Sequence, residues 1–142
     1  MSASDRVEVT IPARPEFVSV ARLTAATVAA RQGFTYDEIE DVKLAVGEAC
    51  ASLIVPGADP GQPLKVHFLL NQDALEIRVE ARAPGIILPV PASGKGASSG
   101  GLPIDESRMG VFLMQCVVDE CETRHDEASG IAEVRLVKRR RG

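Results

Sequence analysis

The amino-acid sequence predicts an α+β fold, a two-layer sandwich in which helices cover one face of a mixed, mostly antiparallel sheet. Leu64–Leu70 and Leu75–Glu80 flank the polar residues Asn71–Asp73, which predicts a hairpin, and the second run alternates apolar and charged residues. The helical segments around the hairpin have apolar residues on one side only, as in helices that pack against a sheet. A length of 142 residues fits one domain spanning 1–142.

The N-terminal part predicts one strand followed by a helix. Apolar residues alternate with polar ones over Val7–Ile11, which is typical of a half-buried strand. Apolar residues then recur at helical spacing over Pro15–Arg31, and Gly33 suits the position just beyond a helix end. We therefore expect the first helix over Pro15–Arg31.

A second helix carries the most informative carboxylate of the chain. Thr35 and Glu38 have the spacing of a capping box, in which each side chain accepts a hydrogen bond from the other residue's backbone N–H. The apolar residues that follow lie on one face and predict a helix that ends near Ile54. Glu48 lies on this helix, where it either faces a ligand or is a solvated surface glutamate.

The C-terminal part predicts a long loop, a helix and a closing strand. Residues 84–103 are rich in Pro, Gly and Ser, which inside a domain is typical of a functional lid or a disordered segment. We expect a helix over Ser107–Asp119 and a strand over Ile131–Val137, giving the order β-α-α-β-β-loop-α-β. The basic tail Lys138–Arg141 either contacts nucleic acid or only increases solubility.

Composition and charge narrow the function classes. The formal net charge of −4 argues against a general nucleic-acid binder, so no direct nucleic-acid contact is expected. No apolar run approaches the roughly 18 residues of a transmembrane helix. The polar N-terminus lacks an apolar signal core, and we expect a cytoplasmic protein.

Four segments, in this order, resemble the RsbW-type anti-sigma factors, small serine kinases of the GHKL superfamily with the Bergerat fold of histidine-kinase ATPases. The segments are Pro15–Thr24, Tyr36–Cys50, Leu75–Gly85 and Met109–Glu120. The resemblance covers nearly the whole chain. It implies a histidine-kinase-ATPase-like fold, ATP with Mg²⁺ as the ligand, and a lid-like loop over 86–106.

The first family motif pairs a glutamate, the proposed general base, with an asparagine that coordinates Mg²⁺ one helical turn later. Glu48 matches the glutamate and is the candidate general base if the protein is active. Ser52 stands at the asparagine position and is a weak candidate Mg²⁺ ligand, since a hydroxyl is shorter and a poorer ligand. The resemblance therefore implies an altered metal position.

The other two nucleotide motifs are altered as well. The second is Asp-x-Gly-x-Gly, and Ala81, Ala83 and Gly85 occupy its aspartate and two glycine positions, so only Gly85 matches. The third is a glycine-rich turn before a helix, a type of turn that binds phosphate. Here it is Ser107-Arg108-Met109-Gly110, in which Gly110 alone persists, and Arg108 either contacts phosphate, fills its place or is a surface residue.

The resemblance also implies partners. Arg22 matches a first-helix arginine that in the family contacts the sigma factor and the anti-anti-sigma protein in turn, although an ordinary exposed arginine is the alternative. We therefore expect a sigma factor or a STAS-like anti-anti-sigma protein as partner, in transcription regulation of a stress response. The resemblance also implies a homodimer, since the family usually forms homodimers through the sheet side, and the strand at Val7–Ile11 is compatible with one.

These observations lead to three hypotheses. The first is an anti-sigma-like regulator that binds its partner while ATP binding is weakened or lost. The second is an active serine kinase that phosphorylates an anti-anti-sigma protein. The third is a sensor that holds another small ligand in the former nucleotide pocket.

Overall fold

The computed structural model describes residues 5–54, 61–83 and 106–141 as a five-stranded sheet with three helices on one face. The strands are β1 (Asp5–Pro12), β2 (Pro63–Leu70), β3 (Ala74–Arg82), β4 (Glu120–Asp126) and β5 (Ile131–Arg139), and the helices are α1 (Val18–Arg31), α2 (Tyr36–Leu53) and α3 (Glu106–Val117). The strand order is β1-β2-β3-β5-β4. The predicted fold class is confirmed, but all four pairings are antiparallel, so the sheet is not mixed.

One strand, β4, was missed by the sequence analysis, so the predicted element order lacks it. Its sequence from Glu120 to Asp126 contains no aliphatic residue, and it pairs only with β5, at the edge of the sheet. The Asp119 N–H already bonds to the Val137 oxygen at 2.8 Å, so α3 ends before Asp119 and not at it. An edge strand with one exposed face does not need the apolar pattern that reveals a central strand.

The helices bury the inner face of the sheet. α1 packs over β1 and β2, α2 over β3 and β5, and α3 against β4. Inward side chains such as Phe68, Ile77 and Leu136 are at most 1% exposed, and α1 meets them with small alanines. Among the described helices, none has the length and apolarity needed to cross a membrane.

The predicted capping box at the start of α2 is confirmed and has a third partner. The Glu38 N–H donates to Thr35 Oγ1 at 3.2 Å, and the Thr35 N–H donates to Glu38 Oε1 at 2.8 Å. The backbone N–H of Arg141 donates to Glu38 Oε2 at 3.1 Å. Glu38 therefore caps α2 and also fastens the end of the chain to it.

The basic tail is engaged inside the molecule. Lys138, 7% exposed, points inward from β5, where its Nζ donates to the Val117 oxygen at 2.7 Å and to Asp41 Oδ2 at 3.3 Å. Arg141 Nη2 lies 2.8 Å from Asp119 Oδ1. These bonds hold the helices and strands together, a role that neither interpretation of the tail included.

We expect the fold to lose stability at acid pH through the carboxylates that hold the tail. Desolvation raises the pKa of Glu38, but hydrogen bonds from Thr35 and Arg141 outweigh it and leave the pKa below its ordinary value. The pKa of Asp119 is lowered in the same way by Arg139 and Arg141. Because folded-state pKa values are depressed, this stability is complete above the unfolded-state pKa of about 4 and is lost as the pH falls through the folded values.

The Glu38→Gln variant tests this contribution. One amide oxygen cannot replace two carboxylate oxygens, so urea unfolding at pH 7 should show a loss of about 1–2 kcal/mol. The variant should also lose less stability between pH 7 and pH 3 than the parent chain. Equal pH dependence in both proteins would contradict the assignment to Glu38.

Candidate functional site

The candidate site lies where α2 meets the N-terminal half of α3. Glu48 is half-buried, and its Oε2 would lie 2.9 Å from a Cβ atom built on Gly110. Two turns before Glu48 on α2, Asp41 accepts a hydrogen bond from Lys138 Nζ, and the same Nζ donates to the Val117 oxygen at the C-terminal end of α3. The two helices therefore run in opposite directions, and Gly110 provides the space in which the Glu48 carboxylate lies.

Ser52, at the predicted metal position, uses its hydroxyl proton within its own helix. Its Oγ donates to the Ala49 oxygen at 2.7 Å. A serine bonded in this way keeps its oxygen close to the helix backbone. Ser52 therefore presents a short, weak ligand beside Glu48, one turn away.

The positions of the second motif that the structure describes are apolar and buried. Ala81 is 6% exposed and Ala83 is 8% exposed. On the inner face of the sheet, Ala81 is flanked by Leu64 on β2 and Ala132 on β5, and both are fully buried. These three neighbouring positions supply no side-chain hydrogen-bond acceptor for an adenine amino group.

A histidine continues this row at the edge of the sheet. His125 on β4 pairs with Ala132, and its Nε2 is buried with no hydrogen-bond partner in the described part of the chain. The sequence pattern gives no signal for His125, because this residue lies on β4, a strand that was not predicted. It is the polar member of a row that is otherwise aliphatic.

The third motif forms the first part of α3. Met109 is 41% exposed and Gly110 is buried, and both lie inside the helix that begins at Glu106. Because the first four N–H groups of a helix lack intrahelical partners, the N–H of Gly110, the fifth residue, bonds within the helix. Gly85, the Arg108 side chain and the predicted lid up to residue 105 lie outside what the structure describes.

Arg22 lines a groove between α1 and α2 with a volume of about 420 Å³. Its side chain lies across Gly47, where an added Cβ would stand 3.3 Å from Arg22 Cδ. The groove is lined by Val18, Arg22, Glu40, Lys43, Leu44, Gly47 and Glu48. Sequence reasoning missed Gly47, although a glycine inside a strongly helical pattern is a signal of close packing.

Two apolar residues line this groove. Val18 is half-buried and Leu44 is 37% exposed. Together with Arg22 they give the α1–α2 face apolar contact area beside an arginine, the combination that is enriched at protein interfaces. Arg22 and Glu48 line the same groove, so the predicted partner-binding and catalytic positions adjoin each other.

Comparison with known proteins identifies the class to which this fold and site belong. Residues 11–138 match the family model described as the histidine kinase-like ATPase domain. The chain belongs to this family, and within it to the group of RsbW serine-protein kinases, as the following relatives show.

Two curated relatives are named Serine-protein kinase RsbW. The one from Halalkalibacterium halodurans is 34% identical over 138 residues, covering 95% of this chain and 85% of the relative. The one from Bacillus pumilus is 34% identical over 144 residues, covering 96% and 89%.

A solved structure supports the fold. The crystal structure of the RsbU and RsbW domains of Rv1364c from Mycobacterium tuberculosis superposes with a TM-score of 0.65 at 14% identity. It covers 96% of this chain, which spans about a third (32%) of the solved chain. At this identity the likeness concerns the fold alone.

The contact between Glu48 and Gly110 can be measured with a double-mutant cycle. Alanine in a helix is favoured over glycine by about 1 kcal/mol, but in Gly110→Ala the new methyl group must displace the Glu48 carboxylate. We expect Gly110→Ala to stabilise the Glu48→Ala protein more than the parent protein, by about 0.5–1 kcal/mol in urea unfolding. Strictly additive effects would mean that the two residues do not touch in solution.

Proposed function

We propose that this protein is an anti-sigma-like regulator that binds a protein partner through its α1–α2 face, with ATP binding weakened or lost. The single observation that supports the loss is the aliphatic row around Ala81. In the family, an aspartate at this position accepts a hydrogen bond from adenine. In this chain the neighbouring side chains of Leu64, Ala81 and Ala132 at this end of the inner sheet face are all aliphatic and buried, so none of them can accept that hydrogen bond.

Magnitudes favour a large loss of nucleotide affinity. A hydrogen bond that involves a charged group contributes about 1.5–3 kcal/mol, and a weakened Mg²⁺ position at Ser52 costs a similar amount. Together these amount to ~3–6 kcal/mol, or about a hundredfold to ten-thousandfold in affinity. An ATP site with a Kd of about 1 μM would then have a Kd of about 0.1–10 mM.

The partner face supports the regulatory half of the proposal. Arg22 lies in a groove that is also lined by Val18 and the exposed Leu44, and Gly47 allows its side chain to lie flat across α2. A side chain packed on its own protein loses less conformational entropy when a partner binds. We propose a sigma factor or a STAS-like anti-anti-sigma protein as partner, and a homodimer that leaves this face open.

The competing proposal is a working serine kinase. The relatives named Serine-protein kinase RsbW and the position of Glu48 against Gly110 support it. In that case Glu48 is the general base for the partner's serine. Transfer of radiolabel from ATP to a STAS-like protein, abolished by Glu48→Gln, would establish the kinase. It would contradict the proposal of a regulator that transfers no phosphate.

The nucleotide half is tested by restoring the missing carboxylate. Isothermal titration of the parent protein with Mg-ATP should give a Kd weaker than about 100 μM. Ala81→Asp should lower the Tm, because a buried carboxylate lacks a partner, and ATP should recover more of the Tm than in the parent chain. Ala81→Asn is the matched control, since it adds polarity without the charge. Binding by the parent protein with a Kd tighter than about 100 μM contradicts the proposal.

The partner half is tested by reversing the charge of Arg22. Arg22→Glu should weaken binding of the sigma factors of the source organism about a hundredfold in surface plasmon resonance. Arg31→Glu, on the same helix and also exposed, changes the net charge equally and should change binding less than threefold. Equal effects from both variants would show that charge, and not the α1–α2 groove, controls binding.

A further inference from the structure

The outer face of the sheet, opposite the helices, carries a nearly complete set of ion pairs. Arg135 contacts Glu76 at 3.1 Å and Glu120 at 3.3 Å, and Arg78 contacts Glu76 at 2.6 Å. The basic side chains on this face of the described strands are Arg6, Lys65, His67, Arg78, Arg82, Arg124, Arg135 and Arg139. Six of these eight have a hydrogen-bond or ion-pair partner.

The two exceptions are neighbours. Lys65 and Arg82 have no side-chain partner among residues 5–54, 61–83 and 106–141. In the backbone register of β2 and β3, Lys65 lies directly opposite Glu80. Arg82 lies two residues beyond Glu80 on the same face of the sheet. Such diagonal positions are about 7–8 Å apart, so both long side chains can reach one anion between them.

The local carboxylates do not neutralise this pair. Glu80 Oε1 is engaged by His67 Nε2 at 2.9 Å, although Glu80 stands directly opposite Lys65. Glu133, which faces Glu80 across β3 and β5, forms no ion pair with Arg82 within the described chain. The pattern differs from the rest of the described face, where each basic side chain has a hydrogen-bond or ion-pair partner.

Lys65 and Arg82 line the same groove, whose volume is about 310 Å³. Pro63 and Ile131, the latter 38% exposed, give it an apolar part. Ser129 completes one wall, but its hydroxyl already donates to Asp126 Oδ2 and accepts from the Ile131 N–H. Gln62 and Glu80 also line the groove, and Oε1 of Glu80 is taken by His67. Among the charged side chains of the groove, Lys65 and Arg82 are the two without an ion-pair partner in the described part of the chain.

We propose that this groove is a binding site for a small organic anion, a phosphate monoester or carboxylate with a compact apolar body. The anion lies between Lys65 and Arg82, where the guanidinium of Arg82 forms a bidentate contact. The apolar body packs on Pro63 and Ile131. A volume near 300 Å³ is at the small end of ligand sites, and the groove is on the opposite face of the sheet from Glu48 and the α1–α2 groove.

The site is tested by titrating the ¹⁵N-labelled full chain with phenyl phosphate while amide shifts are recorded by NMR. The open groove and two exposed cations predict a Kd on the order of 1 mM. The shifts should concentrate at the amides of Gln62, Lys65, Arg82 and Ile131. Benzoate should bind at the same amides, and benzyl alcohol, which lacks the anion, should bind at least tenfold more weakly.

Matched variants identify the cations responsible. The Lys65→Ser/Arg82→Ser protein should bind phenyl phosphate at least tenfold more weakly. Arg31→Ser/Arg140→Ser removes the same charge at exposed positions outside the groove and should bind like the parent chain. Circular dichroism and the Tm of each double variant are the checks that both are folded.

Three results would overturn the inference. They are the absence of shifts at about 20 mM ligand, equal binding by both double variants, and shifts confined to the amides around Glu48 and Gly110. Equal affinity for inorganic phosphate would also overturn it, because the apolar part of the groove would then contribute nothing. The absence of shifts, equal binding by both double variants and equal affinity for inorganic phosphate leave ATP and partner binding at the other face untouched, so the two proposals fail separately.

Discussion

A buried ammonium group sets the spacing of the helices on which the candidate site depends. Lys138 Nζ bonds to the last turn of α3 through the Val117 oxygen and to α2 through Asp41. Its side chain is 8% exposed, and an unpaired buried charge is so unfavourable that both partners must stay in place. Since α2 and α3 are antiparallel, a bond at this end also fixes how Glu48 meets Gly110 at the other.

The end of the chain reinforces the same junction. The backbone N–H of Arg141 bonds to Glu38 at the start of α2, and its guanidinium bonds to Asp119 just before β4. The segment that follows β5 therefore connects α2 to the start of β4. Lys138 and Arg141, two residues of this basic tail, thus bond to helix ends, at the Val117 oxygen of α3 and the Glu38 carboxylate of α2. The α2 helix is held at its N-terminus by the capping box, at Asp41 by Lys138 and on its far side by α1. Because α2 is fixed at these three places, Glu48 keeps its position, and so does Gly47, on which the Arg22 side chain packs.

The sequence predicted those features that depend on local pattern. The capping box of Thr35 and Glu38 follows from three-residue spacing, and the β2–β3 hairpin from alternation and a polar turn, so both were found with accurate bounds. It could not predict β4. In the described residues this strand pairs with β5 alone, at the edge of the sheet, and it therefore lacks the apolar alternation that reveals a central strand. Nor could it place Lys138, because its inward direction depends on the register of β5 and its partners lie 97 and 21 residues away.

The site shows the same division. Motif spacing put Glu48 and Gly110 among the candidates, but only the packing of α2 against α3 brings them into contact. The groove residues Lys43 and Leu44 were missed because an exposed helix position has no signature until a neighbouring helix is placed beside it. The pair Lys65 and Arg82 was missed for a related reason, since an unpaired cation is recognised only when the partners of all the others are known.

The aliphatic row at Ala81 has a consequence for the stability of the empty domain. An aspartate buried between Leu64 and Ala132 would lack a hydrogen-bond partner whenever nucleotide is absent, and burying such a group costs several kcal/mol. Alanine removes that cost, so the inner sheet face packs as a continuous aliphatic layer without a ligand. If nucleotide binding is weakened as proposed, the same alanine also removes the need for a nucleotide to satisfy this position. The α1–α2 face would then be open to a partner at any ATP concentration, which is a physical reason for the proposed regulator to keep the scaffold of this family.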